Sequence, residues 1–409
     1  MANNNFLRKR NLSTVFSHIF FQKTTVFRAQ LSEQVGLNKS TVSSLVQELI
    51  ERGLLRETGE LSVGEIGRPA AFLEINPEGG FIIGVDLSVD FISVMITDLC
   101  CRRIWERKFA ITSNIKQEDA ISKMLEMVNE AIEICKSKNN RVLGLGVAVP
   151  GLVDTNEGTL IYAPHNKWRN IPLQKILSES TGLREIYIEN DANAATLGEH
   201  IYGMARETRD FIFVFIGKGI GSGLFLNGKI YRGRNGYAGE IGHIPIITEP
   251  YNKLCDCGNL GCWEAYANEF TILNHAQDML EQRRSTIISK LMEEQNVPLS
   301  TSILKQAADL GDPASLEIFS VAGESIGIGI AALINIFNPD KVIVGGPISI
   351  SGTYLLPTII KKAKEHTLPD LNQDVEILLS RFGGDVVVIG AIASVTNQIL
   401  SSPTIVERR

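Results

Sequence analysis

The stretch GEIGHIPIITEPYNKLCDCGNLGCWE, residues 239–264, decides how the rest of the chain is interpreted. It contains one histidine and three of the six cysteines of the chain, and the three thiols fall within eight residues. Tetrahedral zinc takes Cys and His ligands, and a closed set of four ligands is typical of a structural site. The stretch therefore predicts a structural Zn²⁺ site with the ligands His243, Cys255, Cys257 and Cys262.

Two alternatives for these residues are buried free cysteines beside an unrelated histidine, and a disulfide. The first is disfavoured because two thiols separated by one residue, with a third close by, are an unusual pattern for core packing. The second is disfavoured because nothing in the chain indicates an oxidising compartment. The other cysteines, Cys100, Cys101 and Cys135, show no framework spacing. Zinc is therefore the preferred interpretation.

The composition is typical of a globular protein of roughly two or three domains, with 409 residues, 44% of them hydrophobic and 21% charged. The basic N-terminus is not followed by the apolar core of a signal peptide. We also expect no membrane insertion, because no apolar run approaches the roughly 20 residues that a spanning helix needs. These observations predict a cytoplasmic protein.

Charge is distributed unevenly along the chain. The net charge is −6, yet residues 1–56 carry eight basic side chains against three acidic ones. A basic head on an acidic body indicates that the head binds an anionic partner.

The head, residues 1–78, has the pattern of a winged helix-turn-helix domain. An amphipathic helix with Leu12, Val15, Phe16, Ile19 and Phe20 inward is followed by a short helix at 28–35, where we expect Ala29, Leu31 and Val35 to face the core. Gly36 ends that helix, and Asn38 is placed to cap the next one.

The third helix of the head has small hydroxyl residues and a lysine at its N-terminal end, which suits close approach to a major groove and its phosphates. Residues 54–75 then predict two short strands around a glycine-rich tip, a wing with Arg68 at its return. A small helical docking domain is the alternative. The predicted contacts to double-stranded operator DNA are made by Asn38, Lys39, Ser40, Thr41, Ser43, Ser44, Gln47 and Arg68.

The body, residues 79–409, repeats one pattern of hairpin, helix, strand, helix and strand. This repeat predicts two α/β halves with ligands at the carboxyl ends of their strands. The repeated segments are hairpins at 81–99 and 210–233, isolated strands at 141–151 and 340–349, last strands starting near 185 and 375, and helices at 117–136 and 314–337. The arrangement resembles the ribonuclease H-like fold shared by sugar kinases, actin and heat-shock chaperone ATPases.

Five motifs together make the resemblance specific: VPGLVD, ENDANAA, GIGSG, GEIGH and CDCGNLGCWE. They resemble the ROK family, which groups bacterial sugar kinases with sugar-responsive repressors. The head, with LNKSTVSSLV, resembles the repressor branch, and APHNKWRNIPL and YRGRNGYAGEIGH are most similar to its xylose-operon repressors. The resemblance covers nearly the whole chain and implies a zinc loop at 243–262.

The family's sugar-binding residues correspond here to Asn190, Asp191, Glu240, His243 and Glu264. Carboxylates and a carboxamide suit a sugar ring, which offers several hydroxyl donors and acceptors. In family kinases the aspartate that matches Asp191 is the general base for the sugar hydroxyl. His243 is expected to bind zinc through one ring nitrogen and the sugar through the other. A helix cap is the alternative role for Asn190 and Asp191, and it does not exclude sugar binding.

The first phosphate loop departs from the family kinases, which read DxGGT. Here the residues are Asp86-Leu87-Ser88-Val89-Asp90, so both glycines are absent and Asp90 adds negative charge. The second loop, 216–223, keeps its glycines but has Lys218 where a small hydroxyl residue is expected. A lysine can bind phosphate, so the second departure is ambiguous. The first predicts negligible kinase activity.

The predicted function is a DNA-binding repressor of a sugar-utilisation operon that responds to xylose or another aldose bound in the body. We expect a homodimer on a palindromic operator, with a tetramer left open. One rival is an active ROK sugar kinase with a vestigial head. The other is a repressor controlled by a protein partner, for which an exposed apolar helix near 355–368 would be a signal.

Overall fold

The computed structural model describes residues 2–22, 26–58, 72–112, 115–246, 253–284, 287–371 and 374–408. The chain forms two compact units. The first contains Met1–Tyr202 together with Val388–Arg409, and the second contains Gly203–Val387. The head and the first half of the body thus lie in one unit, and the second half of the body forms the other.

The head forms the expected helices and a small sheet. Its first helix buries the predicted stripe of five apolar residues. Leu31 faces the core as predicted. The prediction for Ala29 is wrong, because Ala29 is exposed and Ser32 is buried beside Leu31 on the one buried face of this seven-residue helix. The elements are α1 (Ala2–Phe21), β1 (Val26–Phe27), α2 (Arg28–Gln34), α3 (Lys39–Glu51), β2 (Leu55–Thr58) and β3 (Phe72–Ile75).

Helix α3 starts where the sequence predicts because Asn38 caps it. The side chain of Asn38 accepts a hydrogen bond of 2.8 Å from the backbone N–H of Thr41. The helical period predicts a buried stripe of five apolar residues, of which Val42, Leu45, Val46 and Leu49 are buried and Ile50, at the end of the helix, is half-buried. Glu48 was not predicted to be buried, yet it also lies on the buried face of this helix and is paired with Arg8 at 2.6 Å and with Arg52 at 2.8 Å.

The wing strands β2 and β3 pair in an antiparallel manner, with Leu55 opposite Ile75. The short strand β1 adds to the other side of β3, which gives the order β1-β3-β2 and was not predicted. Arg68, at the expected return of the wing, lies outside the described residues. The two strands are therefore as predicted, whereas the tip between them is not described.

The first half of the body is a five-stranded sheet in the order β11-β7-β4-β5-β6, in which the hairpin β4–β5 is antiparallel and β7 and β11 are parallel to β4. The edge strand β6 and the small sheet β8–β10 were not predicted. The elements are β4 (Phe81–Leu87), β5 (Phe91–Asp98), β6 (Arg103–Ala110), α4 (Gln117–Ser137), β7 (Val142–Val149), β8 (Leu152–Asp154), β9 (Thr159–Ala163), β10 (Trp168–Ile171), α5 (Leu173–Thr181), β11 (Ile186–Asn190) and α6 (Asp191–Ile201).

The second half repeats this topology, with the sheet order β14-β13-β12-β15-β16. Strands β12 and β13 form the hairpin, and β15 and β16 follow in parallel. The elements are β12 (Phe211–Ile216), β13 (Ile220–Leu226), β14 (Lys229–Ile230), α7 (Glu264–Ala267), α8 (Glu269–Glu281), α9 (Ile287–Gln295), α10 (Thr301–Asp309), α11 (Pro313–Phe337), β15 (Lys341–Gly345), α12 (Gly352–His366), β16 (Glu376–Leu379) and α13 (Val386–Ser401).

Two segments are long and apolar enough to cross a membrane, contrary to the sequence expectation. They are Pro313–Phe337 and Gly383–Ser401, with 61% and 72% of their most apolar windows buried inside the protein. Burial of this extent is typical of core helices, because the apolar surface is already covered by protein. These two segments were not predicted, because glycine, serine and single polar residues interrupt their apolar runs.

Candidate functional site

The four predicted metal ligands come together in the second unit. A short 3-10 turn, Ile241–His243, positions the histidine, and a tight turn brings Cys255 and Cys257 toward Cys262. The turn is closed by the hydrogen bond from the N–H of Gly258 to the carbonyl of Cys255, at 2.9 Å. One ligand atom from each of the four side chains lies within 4.8 Å of the other three. The four predicted ligands therefore form a Cys₃His cluster.

The separations within the cluster show which atoms face one another. The Nδ1 atom of His243 is 3.8 Å from the Sγ of Cys255, and the Sγ atoms of Cys257 and Cys262 are 3.7 Å apart. Burial raises the pKa of the Cys255 thiol and raises that of Cys262 to about 12. A hydrogen bond from the backbone N–H of Asn259 lowers the pKa of Cys257. A metal ion that binds these sulfurs as thiolates must therefore displace protons.

Glu264 connects the cluster to the hairpin turn between β12 and β13. Its Oε2 accepts a hydrogen bond of 2.8 Å from the backbone N–H of Ile220, and its Oε1 lies 3.9 Å from the Sγ of Cys255. A Cβ atom on Gly219 would lie 2.6 Å from Oε2, so a side chain there would displace the Glu264 carboxylate. The predicted sugar ligand Glu264 thus has a protein partner of its own.

Asn190 and Asp191 lie at the junction of β11 and α6 in the first unit. The Asn190 Oδ1 accepts from the N–H of Asn193 at 3.1 Å, and its Nδ2 donates to the carbonyl of Gly151 at 3.1 Å. The Asp191 Oδ1 accepts from Asn190 Nδ2 and from the N–H of Ala192, both at 2.9 Å. Burial raises the pKa of the Asp191 carboxyl. Asn190 is a helix cap, and both described hydrogen bonds to the Asp191 carboxylate are made to Oδ1.

The hairpin loop between β9 and β10 borders these two residues, and the sequence analysis assigned no site residue to it. A Cβ atom on Gly151 would lie 2.9 Å from the Cα of Ala163, where the loop begins. His165 is close enough to Asp191 to lower the pKa of its carboxyl, against the larger effect of burial. The Oδ1 of Asn166 is buried and has no hydrogen-bond partner among the described residues. The one sequence feature that pointed to this loop was the motif APHNKWRNIPL, which resembles the xylose-operon repressors.

The predicted sugar-binding residues divide between the units. Asn190 and Asp191 belong to the first, whereas Glu240, His243 and Glu264 belong to the second. Glu240 is exposed and its carbonyl accepts from the N–H of His243 at 3.3 Å, so the two residues share one turn.

Arg68 lies outside the described residues, and the other predicted DNA-contacting residues form an exposed polar row at the start of α3 and along it, except for Thr41, which is half-buried. Ser43 accepts a hydrogen bond of 3.1 Å from Arg28, which also pairs with Glu57 at 2.7 Å. Arg28 therefore lies beside this row, and the sequence analysis did not include it. The exposed members of the row are Asn38, Lys39, Ser40, Ser43, Ser44 and Gln47.

A helix-turn-helix head joined to a duplicated ribonuclease H-like body defines a DNA-binding regulator built on a sugar-kinase fold. The model of the ROK family matches residues 82–398, and that of the IclR helix-turn-helix domain matches residues 28–59. The chain belongs to the ROK family. This confirms the predicted family and fold, and the helix-turn-helix head agrees with the repressor branch.

Three similar proteins span nearly the whole chain. The xylose repressor of Caldicellulosiruptor bescii is 32% identical, over 98% of this chain and 99% of that protein. The N-acetylglucosamine repressor of Escherichia coli O6:H1 is 29% identical, over 98% and 96%. The crystal structure of a ROK family transcriptional regulator described as a homolog of the E. coli MLC protein has a TM-score of 0.80 and 28% identity, and covers 97% of each chain.

Proposed function

We propose that this protein is a transcriptional repressor of a sugar-utilisation operon, that α3 binds the operator, and that a sugar in the body changes operator affinity. The observation that carries the proposal is the exposed polar row of α3 on a head fused to a ROK body. The names of the similar proteins support repression and make xylose the leading effector. The expected location is the cytoplasm, without membrane insertion.

On DNA, α3 would lie in the major groove, and Lys39 and Arg28 would neutralise phosphates beside the polar row. A homodimer would present two such helices to a palindromic operator, because the symmetry of the protein is matched by the symmetry of the site. Arg68 is proposed to contact DNA from the wing.

Asn190 and Asp191 are the proposed sugar contacts of the first unit, and Glu240, His243 and Glu264 are the proposed sugar contacts of the second. Hydroxyl groups of an aldose would donate to the Oδ2 of Asp191, and burial of this carboxylate makes such a bond more favourable. The buried Oδ1 of Asn166 would accept another hydroxyl, because a buried acceptor without a partner costs about 1–3 kcal/mol.

Zinc fits the Cys₃His cluster by its donor set and its size. With Zn–S bonds of about 2.3 Å, tetrahedral geometry separates sulfurs by about 3.8 Å, and the Sγ atoms of Cys257 and Cys262 are 3.7 Å apart. A bound Zn²⁺ would be structural and would hold the loop from His243 to Cys262. His243 would bind it through Nδ1, which leaves Nε2 for the sugar.

We also propose that the protein is not a kinase. The turn between β4 and β5 has no glycine and contains Asp90, whose charge opposes a triphosphate. The repressor names of similar proteins support a non-enzymatic role. Control by a protein partner receives less support, because Leu355 and Ile359 of α12 are buried inside the second unit.

Operator binding tests the proposal. Operator sequences would be selected in vitro from random DNA, and affinities measured by fluorescence anisotropy at fixed salt with and without xylose, glucose or N-acetylglucosamine. Lys39→Ala should weaken binding about tenfold through a lost phosphate contact, whereas Lys175→Ala, an exposed lysine on α5, should not. Sequence-specific binding that no sugar changes would contradict the effector part of the proposal. Failure to select any sequence would contradict the DNA part.

Calorimetric titration with the same sugars tests the site. Asp191→Asn should abolish measurable binding yet leave the thermal unfolding midpoint unchanged or raised, because it removes a buried charge and keeps an oxygen acceptor. Asp154→Asn, a turn carboxylate in the same unit, is the matched control and should bind sugar normally. Normal affinity in the Asp191 variant would remove this residue from the site.

A further inference from the structure

Helix α6 has the proposed sugar-binding residues at one end and contacts to the DNA-binding head at the other. Asn190 is its N-cap and Tyr202 its C-cap. A helix of 11 residues is about 16 Å long. The helix therefore joins the two proposed functional sites of the first unit directly.

The contacts at the C-terminal end of α6 are aromatic. The ring of Tyr202 meets that of Phe20 at a centroid distance of 6.1 Å in an edge-to-face arrangement. The ring of His200 meets that of Phe21 at 5.5 Å. Phe20 and Phe21 are the last two residues of α1, the helix on which α3 packs. A displacement of the end of α6 must therefore be followed by α1 or break these ring contacts.

The helix is packed too closely to absorb a displacement by bending. Its backbone meets α13 at Gly390, where an added Cβ would lie 2.2 Å from the carbonyl carbon and oxygen of Ala194. The Tyr202 hydroxyl is 2.6 Å from the hydroxyl of Thr396, also on α13. Closely packed interiors transmit shifts because they have few alternative arrangements.

The C-terminal end of α13 and the chain that follows it are also bonded to the head. The Oγ of Ser13 donates to the carbonyl of Leu400 at 2.8 Å, and Arg52, which directly follows α3, donates to the carbonyl of Val406 at 2.6 Å. Arg408 pairs with Glu51, the last residue of α3, at 3.0 Å. Helices α6 and α13, which contact each other, thus hold both α1 and α3.

We propose that α6 is the element that couples sugar binding to operator binding. Sugar held by Asn190 and Asp191 would favour one position of α6, and the rings of His200 and Tyr202 would pass that preference to α1 of the head. The proposal rests on the proposed function above, and it assigns His200, Tyr202, Phe20 and Phe21 as positioning residues that contact neither ligand. Coupling of this kind changes affinities by about 5- to 150-fold and is reciprocal, so operator DNA should change sugar affinity by the same factor.

Phe21→Ala tests the coupling, and Phe6→Ala is the matched control. Both residues lie on α1, and Phe6 is exposed. The coupling factor is the ratio of operator Kd values without and with saturating xylose. In Phe21→Ala it should fall to within about twofold of one, with sugar affinity of the DNA-free protein retained. Phe6→Ala should keep the wild-type factor. A wild-type factor in Phe21→Ala would overturn the proposal.

Tyr202→Phe provides a second, milder variant in case Phe21→Ala fails to fold. It removes the hydroxyl contact to Thr396 and keeps the ring against Phe20, so the coupling factor should fall only in part. An unchanged factor in this variant would overturn the part played by the Tyr202–Thr396 contact. A wild-type protein with no coupling would contradict the effector part of the proposed function and with it the role of α6, whereas a wild-type factor in Phe21→Ala contradicts the role of α6 alone. The reciprocal effect of operator DNA on xylose affinity, measured by calorimetry, must change in step with the first factor.

Discussion

The two hairpin turns of the body occupy equivalent positions in two sheets of the same topology, yet they differ in chemistry. The turn between β4 and β5 reads Ser88-Val89-Asp90, and the turn between β12 and β13 reads Gly217-Lys218-Gly219. The first has lost its glycines and gained a carboxylate. The second keeps its glycines, but the N–H of Ile220 directly after it already donates to the carboxylate of Glu264.

The difference shows that retained glycines need not mean a retained phosphate site. In the second turn the N–H of Gly217 donates to the carbonyl of Gly219 at 3.0 Å, so this N–H also has an acceptor within the protein and not in a phosphate. A side chain at Gly219 would displace the Glu264 carboxylate from this turn. The second turn therefore packs against the Cys₃His cluster through Glu264, whereas the first has no equivalent support from a Cys/His cluster among the described residues.

Loss of the metal should have the largest effect and should be confined to the second unit. At a free Zn²⁺ concentration about 100 times its Kd, binding stabilises a fold by about 2.7 kcal/mol, so Cys257→Ser should lower the unfolding midpoint by about 5–10 °C. Differential scanning fluorimetry with and without zinc would measure this, together with metal content by mass spectrometry.

Cys100→Ser, an exposed thiol of the first unit, is the control for that experiment. It should retain one equivalent of zinc and the wild-type midpoint. Sugar response should weaken in Cys257→Ser as well, because the loop carrying Glu240 and Glu264 loses its support. Full stability and full response in metal-free Cys257→Ser would refute a structural role for the ion.

Removing Glu264 should have an intermediate effect. Glu264→Ala leaves the N–H of Ile220 without its acceptor, which costs about 1–3 kcal/mol for a buried group. Glu264→Gln keeps an oxygen acceptor and should cost less than half as much. Chemical denaturation of both variants measures the comparison. Equal destabilisation would show that the charge, and not the hydrogen bond, is what holds the turn.

Restoring the first turn should have the smallest effect. The triple variant Ser88→Gly, Val89→Gly, Asp90→Thr would read DLGGT, the family kinase pattern, and would remove the charge that opposes phosphate. We expect the Kd for ATP to be about tenfold lower in the triple variant than in the wild-type protein, which corresponds to about 1.4 kcal/mol. The single variant Asp90→Asn separates the effect of charge from that of the glycines. Tight nucleotide binding by the wild-type protein would remove the distinction between the two turns.

Periodicity predicted much of the fold because its elements are local. The buried stripes of α1 and α3, the cap at Asn38 and both body hairpins follow from apolar spacing and turn residues within a few positions. The features that were missed depend on neighbours far along the chain. Strand β1 forms because β3 is available to pair with it, and buried Glu48 is paired with Arg8 from α1 as well as with Arg52 one turn further along.

The sequence by itself determined the metal cluster, since four ligands of the right kind within 20 residues have few other uses. The family resemblance predicted Asn190 and Asp191 as sugar-binding residues. For Glu264 it predicted sugar binding and no contact within the protein. Tertiary structure decided that the Glu264 carboxylate accepts a hydrogen bond from the N–H of Ile220. It also decided that the buried Oδ1 of Asn166 has no hydrogen-bond partner among the described residues. It also decided that α6 reaches from Asp191 to the head. Such relations are set by packing between distant segments, and no local pattern of residues encodes them.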